Sequence, residues 1–225
     1  MPAGFQAFAQ DGSGLLQIDG LYRNLFFRRK GSATTASLTY RSQNATVSSV
    51  TINLGGGFNG RPLVFVNCSS PARGAGFAAQ NNDGSWSISV AVRGGVGSSL
   101  TWYAFDTLGQ NDLSNYGLQV MNEQGLVVFD AAQRPMRVRG VMSLFATSGP
   151  PSSLTLPSGR TYAVCVAGGG RLQPTSGNTF TILGVGASVN GATTALSAYE
   201  TATGSGGSIR QDHPSYALVV DVTNH

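Results

Sequence analysis

Hydrophobic and polar residues form many short runs along this chain, and clusters of Gly, Pro, Ser and Asn separate the runs. MRVRGV, residues 136–141, alternates in side-chain character, which is the period of a strand with two different faces. PLVFVNC (62–68) and TYAVCVA (161–167) are continuous apolar runs rich in β-branched residues. A helical pattern is nearly absent. The sequence therefore predicts an all-β protein with many turns.

The opening of the chain is repeated near its middle. AGFQAFAQDGSGLLQID (3–19) and YGLQVMNEQGLVVFD (116–130) share a Gly, a Gln among apolar residues, a polar patch ending in Gly, an apolar run and a final Asp. The spacing between equivalent residues is 113 before the turn and 111 after it. The difference falls on Ser13-Gly14, inside a turn, where insertions are best tolerated. We interpret the repeat as an internal duplication. Its motif residues are Gly4, Gly12, Asp19 and Arg23 in the first copy, and Gly117, Gly125, Asp130 and Arg134 in the second.

Each copy of the repeat predicts a β-hairpin, because two apolar stretches flank a polar turn that contains Gly. Asp19 and Asp130 end the returning strands, where a carboxylate can accept backbone N–H bonds in a turn. Arg23 and Arg134 follow four residues later. Each arginine either pairs with its aspartate or is solvated beside a turn cap.

The duplication predicts two tandem β-sandwich or barrel-like domains, residues 1–112 and 113–225. The boundary falls within the polar stretch LGQNDLSN, residues 108–115. The run at 62–68 corresponds to that at 161–167, and SLTWYAFDT (99–107) corresponds to YALVVDVT (216–223) as the closing strand of each half.

Charge is scarce: 11% of the residues are charged, and the net charge is +4. Most arginines stand singly, and the dense basic run is Arg28-Arg29-Lys30. This distribution does not favour nucleic-acid binding. MPAGFQAFAQDG lacks the basic start and apolar core of a signal peptide, and no apolar run reaches transmembrane length. We expect synthesis in a cytoplasm and no membrane insertion.

Residues that could support catalysis are few. There are two histidines, His213 and His225, and no nucleophile stands in an elbow motif. The scattered Cys and His have no zinc-ligand spacing, and the Gly runs lack the Gly-Lys-Ser/Thr of a phosphate loop. Cys68 and Cys165 lie in apolar runs, which predicts buried free thiols. We expect no enzyme activity, no metal and no cofactor.

Two patches follow the hairpins, LFFRRK (25–30) and MRVRGVMSLF (136–145). Arginine beside exposed aromatic residues is typical of protein interfaces. We select Arg28, Arg29, Arg137 and Arg139 as interface candidates. The alternative is a half-buried strand with a solvated face.

The pattern YGLQVMNEQGLVVFDAAQRPMRV resembles the opening of small tail-tip or baseplate (minor tail) virion proteins of long-tailed bacteriophages. The chain carries this pattern twice, and the second copy is the closer match. The resemblance implies a non-enzymatic structural component of the virion tail, assembled in the host cytoplasm. Its expected partners are other tail or baseplate proteins, symmetry-related copies of itself and a host surface receptor. Two alternatives stay open: a receptor- or carbohydrate-binding tail-fibre module, and a capsid decoration protein.

Overall fold

The computed structural model describes the backbone of residues 6–8, 16–19, 24–41, 45–109, 112–144, 152–167, 171–174, 179–205 and 215–225. Side chains are described for 24–41, 45–109, 112–144, 152–166, 184–198 and 215–225. Within these ranges the chain forms strands and no α-helix, and none of its sheets closes into a barrel. The all-β prediction is confirmed.

Nineteen strands are numbered here in chain order. In the first half they are β1 Gln6–Phe8, β2 Leu16–Asp19, β3 Phe26–Thr34, β4 Ser37–Arg41, β5 Thr46–Gly55, β6 Leu63–Asn67, β7 Ala72–Arg73, β8 Ala79–Gln80, β9 Trp86–Arg93 and β10 Ser99–Asp106. In the second half they are β11 Gln119–Met121, β12 Val127–Asp130, β13 Arg137–Leu144, β14 Ser152–Thr155, β15 Tyr162–Ala167, β16 Arg171–Pro174, β17 Thr179–Asn190, β18 Thr193–Ser205 and β19 Ser215–Asp221.

Two large antiparallel sheets contain strands from both sides of the expected 112/113 boundary. The six-stranded sheet has the order β13-β19-β15-β6-β10-β3, and the nine-stranded sheet has the order β14-β18-β17-β7-β9-β5-β4. β16 pairs with β17, and β8 pairs with β9. The halves join edge to edge, through Val66 opposite Val164 in one sheet and Ala72 opposite Ala187 in the other. Each half therefore contributes three adjacent strands to the six-stranded sheet.

The order of the six-stranded sheet reads the same from either end. Starting at the centre, the first half runs β6-β10-β3 and the second half runs β15-β19-β13. In each half the outermost of these strands comes first in the chain, the central-edge strand comes later, and the strand between them closes the half. The runs at 62–68 and 161–167 thus occupy matching places, as do the closing strands β10 and β19.

The main core lies between the two sheets. Residues of successive strands alternate between this core and a second cluster on the other face of the six-stranded sheet. In β6, for example, Val64 and Val66 belong to the main core, whereas Leu63 and Phe65 belong to the second cluster. Burial on both faces explains why this strand is a continuous apolar run.

The two edge strands of the six-stranded sheet approach each other at one end. The start of β3 pairs with the segment just before β13: Met136 N–H donates to Leu25 O at 2.7 Å, and Phe27 N–H donates to Arg134 O at 2.8 Å. Phe26 and Pro135 form an isolated antiparallel bridge. Leu25, Phe27 and Met136 pack against the second cluster and help to cover it.

The two predicted hairpins are confirmed. In the first, Gln6 lies opposite Asp19 and Ala7 opposite Ile18, and a register shift follows before Phe8 opposite Leu16. In the second, the pairs are Gln119–Asp130, Val120–Phe129 and, after a shift at the same place, Met121–Val127. Gly117 and Gly125 have φ values of 94° and 73°, which only glycine adopts readily. Gly4, Gly12 and Arg23 lie outside the described residues.

Candidate functional site

The second hairpin is held by the carboxylate that ends it. Asp130 is fully buried and accepts hydrogen bonds from the Ser114 N–H and hydroxyl, from the Gln119 amide and from the Ala132 N–H, at 2.8 to 3.2 Å. Burial raises the pKa of this carboxyl, but these donors outweigh burial and lower it. Among the described contacts Asp130 has no bond to Arg134. The observed arrangement is a turn cap.

The same hairpin presents large apolar side chains to solvent. Tyr116 is 77% exposed, Leu118 is 56% exposed and Met121 is 57% exposed. The opposite strand anchors the hairpin, because the Phe129 ring packs on Phe26 with centroids 6.2 Å apart and the side-chain amide of Asn24 donates to Val128 O. Exposed apolar clusters of this kind mark protein contact sites. We name Tyr116, Leu118 and Met121 the hairpin patch.

Three of the four arginines selected from the sequence have partners within the chain. Arg28 forms a 2.7 Å ion pair with Asp112, whose pKa burial raises and the bonds from Arg28, Gly109 and Asn59 lower by more. Arg29 donates to Leu54 O at 2.6 Å and lies 5.2 Å from the Phe58 ring centroid. These arginines stabilise loops of the first half, and the interface role of both stays a prediction.

The arginines of β13 differ from each other. Arg139 donates to Asp221 at 3.1 Å and is largely buried. Arg137 is exposed on the edge strand. Of the four candidates, Arg137 is therefore best placed to meet a partner without disturbing the fold.

A basic cleft of about 590 Å³ lies along β3, near the meeting point of the two edge strands. Its lining includes four cationic side chains and no acidic one among the described residues: Arg28, Arg29, Lys30 and Arg134. The rings of Phe27, Trp102 and His225 complete much of the wall. Trp102 is wedged against Gly31, where an added Cβ would lie 2.7 Å from the indole.

His225 closes one end of the cleft. Its ring is stacked on Phe27, with centroids 5.1 Å apart, and its backbone oxygen accepts a 2.5 Å bond from Lys30 Nζ. The residue is 6% exposed, and neither ring nitrogen has a hydrogen-bond partner in the described part of the chain. Burial and the charges of Arg137 and Arg134 lower the pKa of His225, against smaller opposing contributions from Asn224 and Asp221. Sequence reasoning missed this residue, because a terminal histidine belongs to no pattern or motif.

The cysteines occupy corresponding positions in the two halves, in β15 and just after β6. Both are free and buried, as the sequence predicted. Burial raises the pKa of Cys165 to about 11 and also raises the pKa of Cys68, where a bond from the Ser70 backbone opposes it in part. Neither thiol is suited to act as a nucleophile at neutral pH.

Over the described ranges, no three His, Cys, Asp or Glu residues come together as a metal site. The same ranges contain no helix long and apolar enough to cross a membrane. No family model, curated protein or solved structure matches the chain.

Proposed function

We propose that the chain is a non-enzymatic structural component of a long-tailed bacteriophage virion, located at the tail tip or baseplate and supporting host-surface attachment. The observation that carries the proposal is the hairpin pair. β1–β2 and β11–β12 share the pairing of Gln with Asp, the apolar pair that follows, and the register shift after it. This is the element through which the sequence resembles the tail proteins.

The strand order of the six-stranded sheet supports the internal duplication on which that resemblance rests. Two copies of one unit that join edge to edge give an order that reads the same from both ends, as this sheet does. Duplicated units are common in ring-forming assemblies, since each added unit offers a similar surface to a neighbour.

The hairpin patch supports the assembly role. Three large apolar side chains on one small hairpin are poorly placed for an isolated protein, and burying them against a partner is favourable by about 25 cal/mol per Å². By the 113-residue spacing, Leu118 and Met121 correspond to Phe5 and Phe8 of the first hairpin. Both hairpins therefore offer apolar contacts to neighbouring virion proteins or to symmetry-related copies.

Incorporation into particles tests this role. A Tyr116→Ser, Leu118→Ser variant removes most of the hairpin patch, and Arg137→Glu reverses the exposed charge of β13. We expect each to lower the amount of protein in purified particles at least about tenfold, because lost apolar burial and a reversed rim charge both weaken association. Immunoblots of particles, normalised to a major tail protein, measure the effect.

The controls are matched in exposure and chemistry. Val96 is 57% exposed in the loop between β9 and β10, and Arg93 is exposed at the end of β9. Val96→Ser and Arg93→Glu should be incorporated like the unaltered chain. Normal incorporation of both test variants would contradict the proposed use of these surfaces.

A further inference from the structure

The basic cleft combines positive charge with an unused buried hydrogen-bonding group. Four cationic side chains line it without an acidic one among its described lining residues. Arg28 is neutralised by Asp112, Arg29 donates to a backbone carbonyl and Lys30 donates to the backbone of His225. The exposed guanidinium of Arg134 adds a further positive charge at the rim.

The imidazole of His225 gives this charge a direction. A neutral imidazole has one N–H donor and one acceptor nitrogen, and a buried donor without a partner costs about 1 to 3 kcal/mol. His225 nevertheless lies 94% buried against the cleft with both nitrogens unpartnered among the described residues. The stack on Phe27 and the tilted packing on Phe105, 5.9 Å away, fix the ring in this position.

We propose that the cleft is a binding site for a small organic oxyanion, a sugar or similar compact skeleton that carries a phosphate or a carboxylate. The oxyanion accepts hydrogen bonds from the His225 ring and the Arg134 guanidinium, and the skeleton lies against the rings of Phe27 and Trp102. The volume of about 590 Å³ exceeds that of a bare phosphate and falls within the range of small-molecule sites. The site is independent of the virion role proposed above.

The electrostatics agree with this chemistry. The charges of Arg137 and Arg134 disfavour a proton on His225, which shows that the empty cleft has a positive potential at the ring. An oxyanion bound there reverses this effect, because an opposite charge within a few ångströms favours the charged imidazolium. Ligand binding should therefore raise the pKa of His225.

Titration of the full chain by NMR tests the site, with glucose 6-phosphate, glucuronate, inorganic phosphate and glucose as probes. The histidine ring signals of His225 are distinguished from those of His213 by a His225→Phe variant. We expect saturable shifts of the His225 signals and a raised pKa with at least one of the two charged sugars, and none with glucose. Comparison of glucose 6-phosphate with glucuronate shows whether phosphate or carboxylate is preferred, and inorganic phosphate shows whether the skeleton contributes.

Two variants link binding to the named groups. His225→Phe keeps the aromatic stack and removes the ring nitrogens, and Arg134→Gln removes the exposed charge. Calorimetry should give affinities at least about tenfold weaker for each, the loss expected for a charge-assisted hydrogen bond. Arg93→Gln, the same charge change in the other sheet, should leave the affinity unchanged.

Thermal melting in phosphate-free buffer checks that the variants fold, and Arg134→Gln alone carries the test if His225→Phe does not. The proposal is overturned if neither charged sugar binds saturably. It is also overturned if Arg134→Gln binds as the unaltered chain does, or if Arg93→Gln loses as much affinity as Arg134→Gln.

Discussion

The closing strands of the two halves, β10 and β19, both end on a buried aspartate, and the two carboxylates are satisfied in different ways. Asp106 accepts backbone N–H bonds from Asn59, Gly60 and Thr107 at 2.6 to 3.0 Å. Asp221 accepts from the guanidinium groups of Arg160 at 2.6 Å and Arg139 at 3.1 Å, together with the N–H of Thr223. Each fastens the chain that leads into the central strand of its half.

The difference shows that matching positions in the two halves can rest on different chemistry. Neutral backbone donors hold Asp106, and their geometry depends on a tight loop. Two cations hold Asp221, and they in turn need its charge. Removal of the charge should therefore affect the second half more than the first, because it leaves cations beside an apolar sheet without a partner.

Replacement of each aspartate by asparagine tests this comparison most strongly. We expect Asp221→Asn to lower the free energy of unfolding by about 3 kcal/mol, near the lower end for a broken buried ion pair, because the Arg160 side chain is 41% exposed. Asp106→Asn should cost about 1 to 2 kcal/mol, since one carbonyl oxygen still accepts backbone bonds. Equilibrium unfolding in urea measures both. A larger loss in Asp106→Asn would break the comparison.

Acid should separate the two halves by a smaller amount. Burial raises the pKa of Asp221, but the bonds from Thr223, Arg160 and Arg139 outweigh it and lower the pKa to about 2. A depressed folded-state pKa contributes stability that is fully present above the unfolded value near 4 and is lost as the pH falls toward 2. For a shift of this size the contribution is about 2 kcal/mol.

Urea unfolding between pH 5 and pH 2 isolates this contribution, when the unaltered chain is compared with Asp221→Asn. The pKa values of Asp112 and Asp130 are also lowered, so acid should destabilise both proteins. The unaltered chain should lose about 2 kcal/mol more over this range. Parallel pH profiles would show that the Asp221 carboxylate is not stabilised by its arginines.

Local patterns in the sequence predicted the local structure well. The hairpins follow from Gly-containing turns between apolar runs, and their register follows from the alternation on each side. The burial of Cys68 and Cys165 follows from the apolar residues around them. In these places neighbouring residues carry the information.

The arrangement of the halves could not be predicted in the same way. Pairing of Val66 with Val164 joins residues nearly a hundred positions apart, and nothing in either apolar run names its partner. The ion pair of Arg28 with Asp112 and the stack of His225 on Phe27 are equally distant in sequence. These contacts depend on the assembled sheets. For the same reason the sequence identified the Arg28-Arg29-Lys30 run but not the cleft that it lines.

Location within the particle is the measurement that tests the virion role most directly. Gold-labelled antibodies against the chain, applied to purified particles of the phage that encodes it, should mark the tail tip or baseplate in electron micrographs. Particles of a strain that lacks the gene provide the background. Label confined to the capsid, or no label on particles that contain all other tail proteins, would contradict the proposed role.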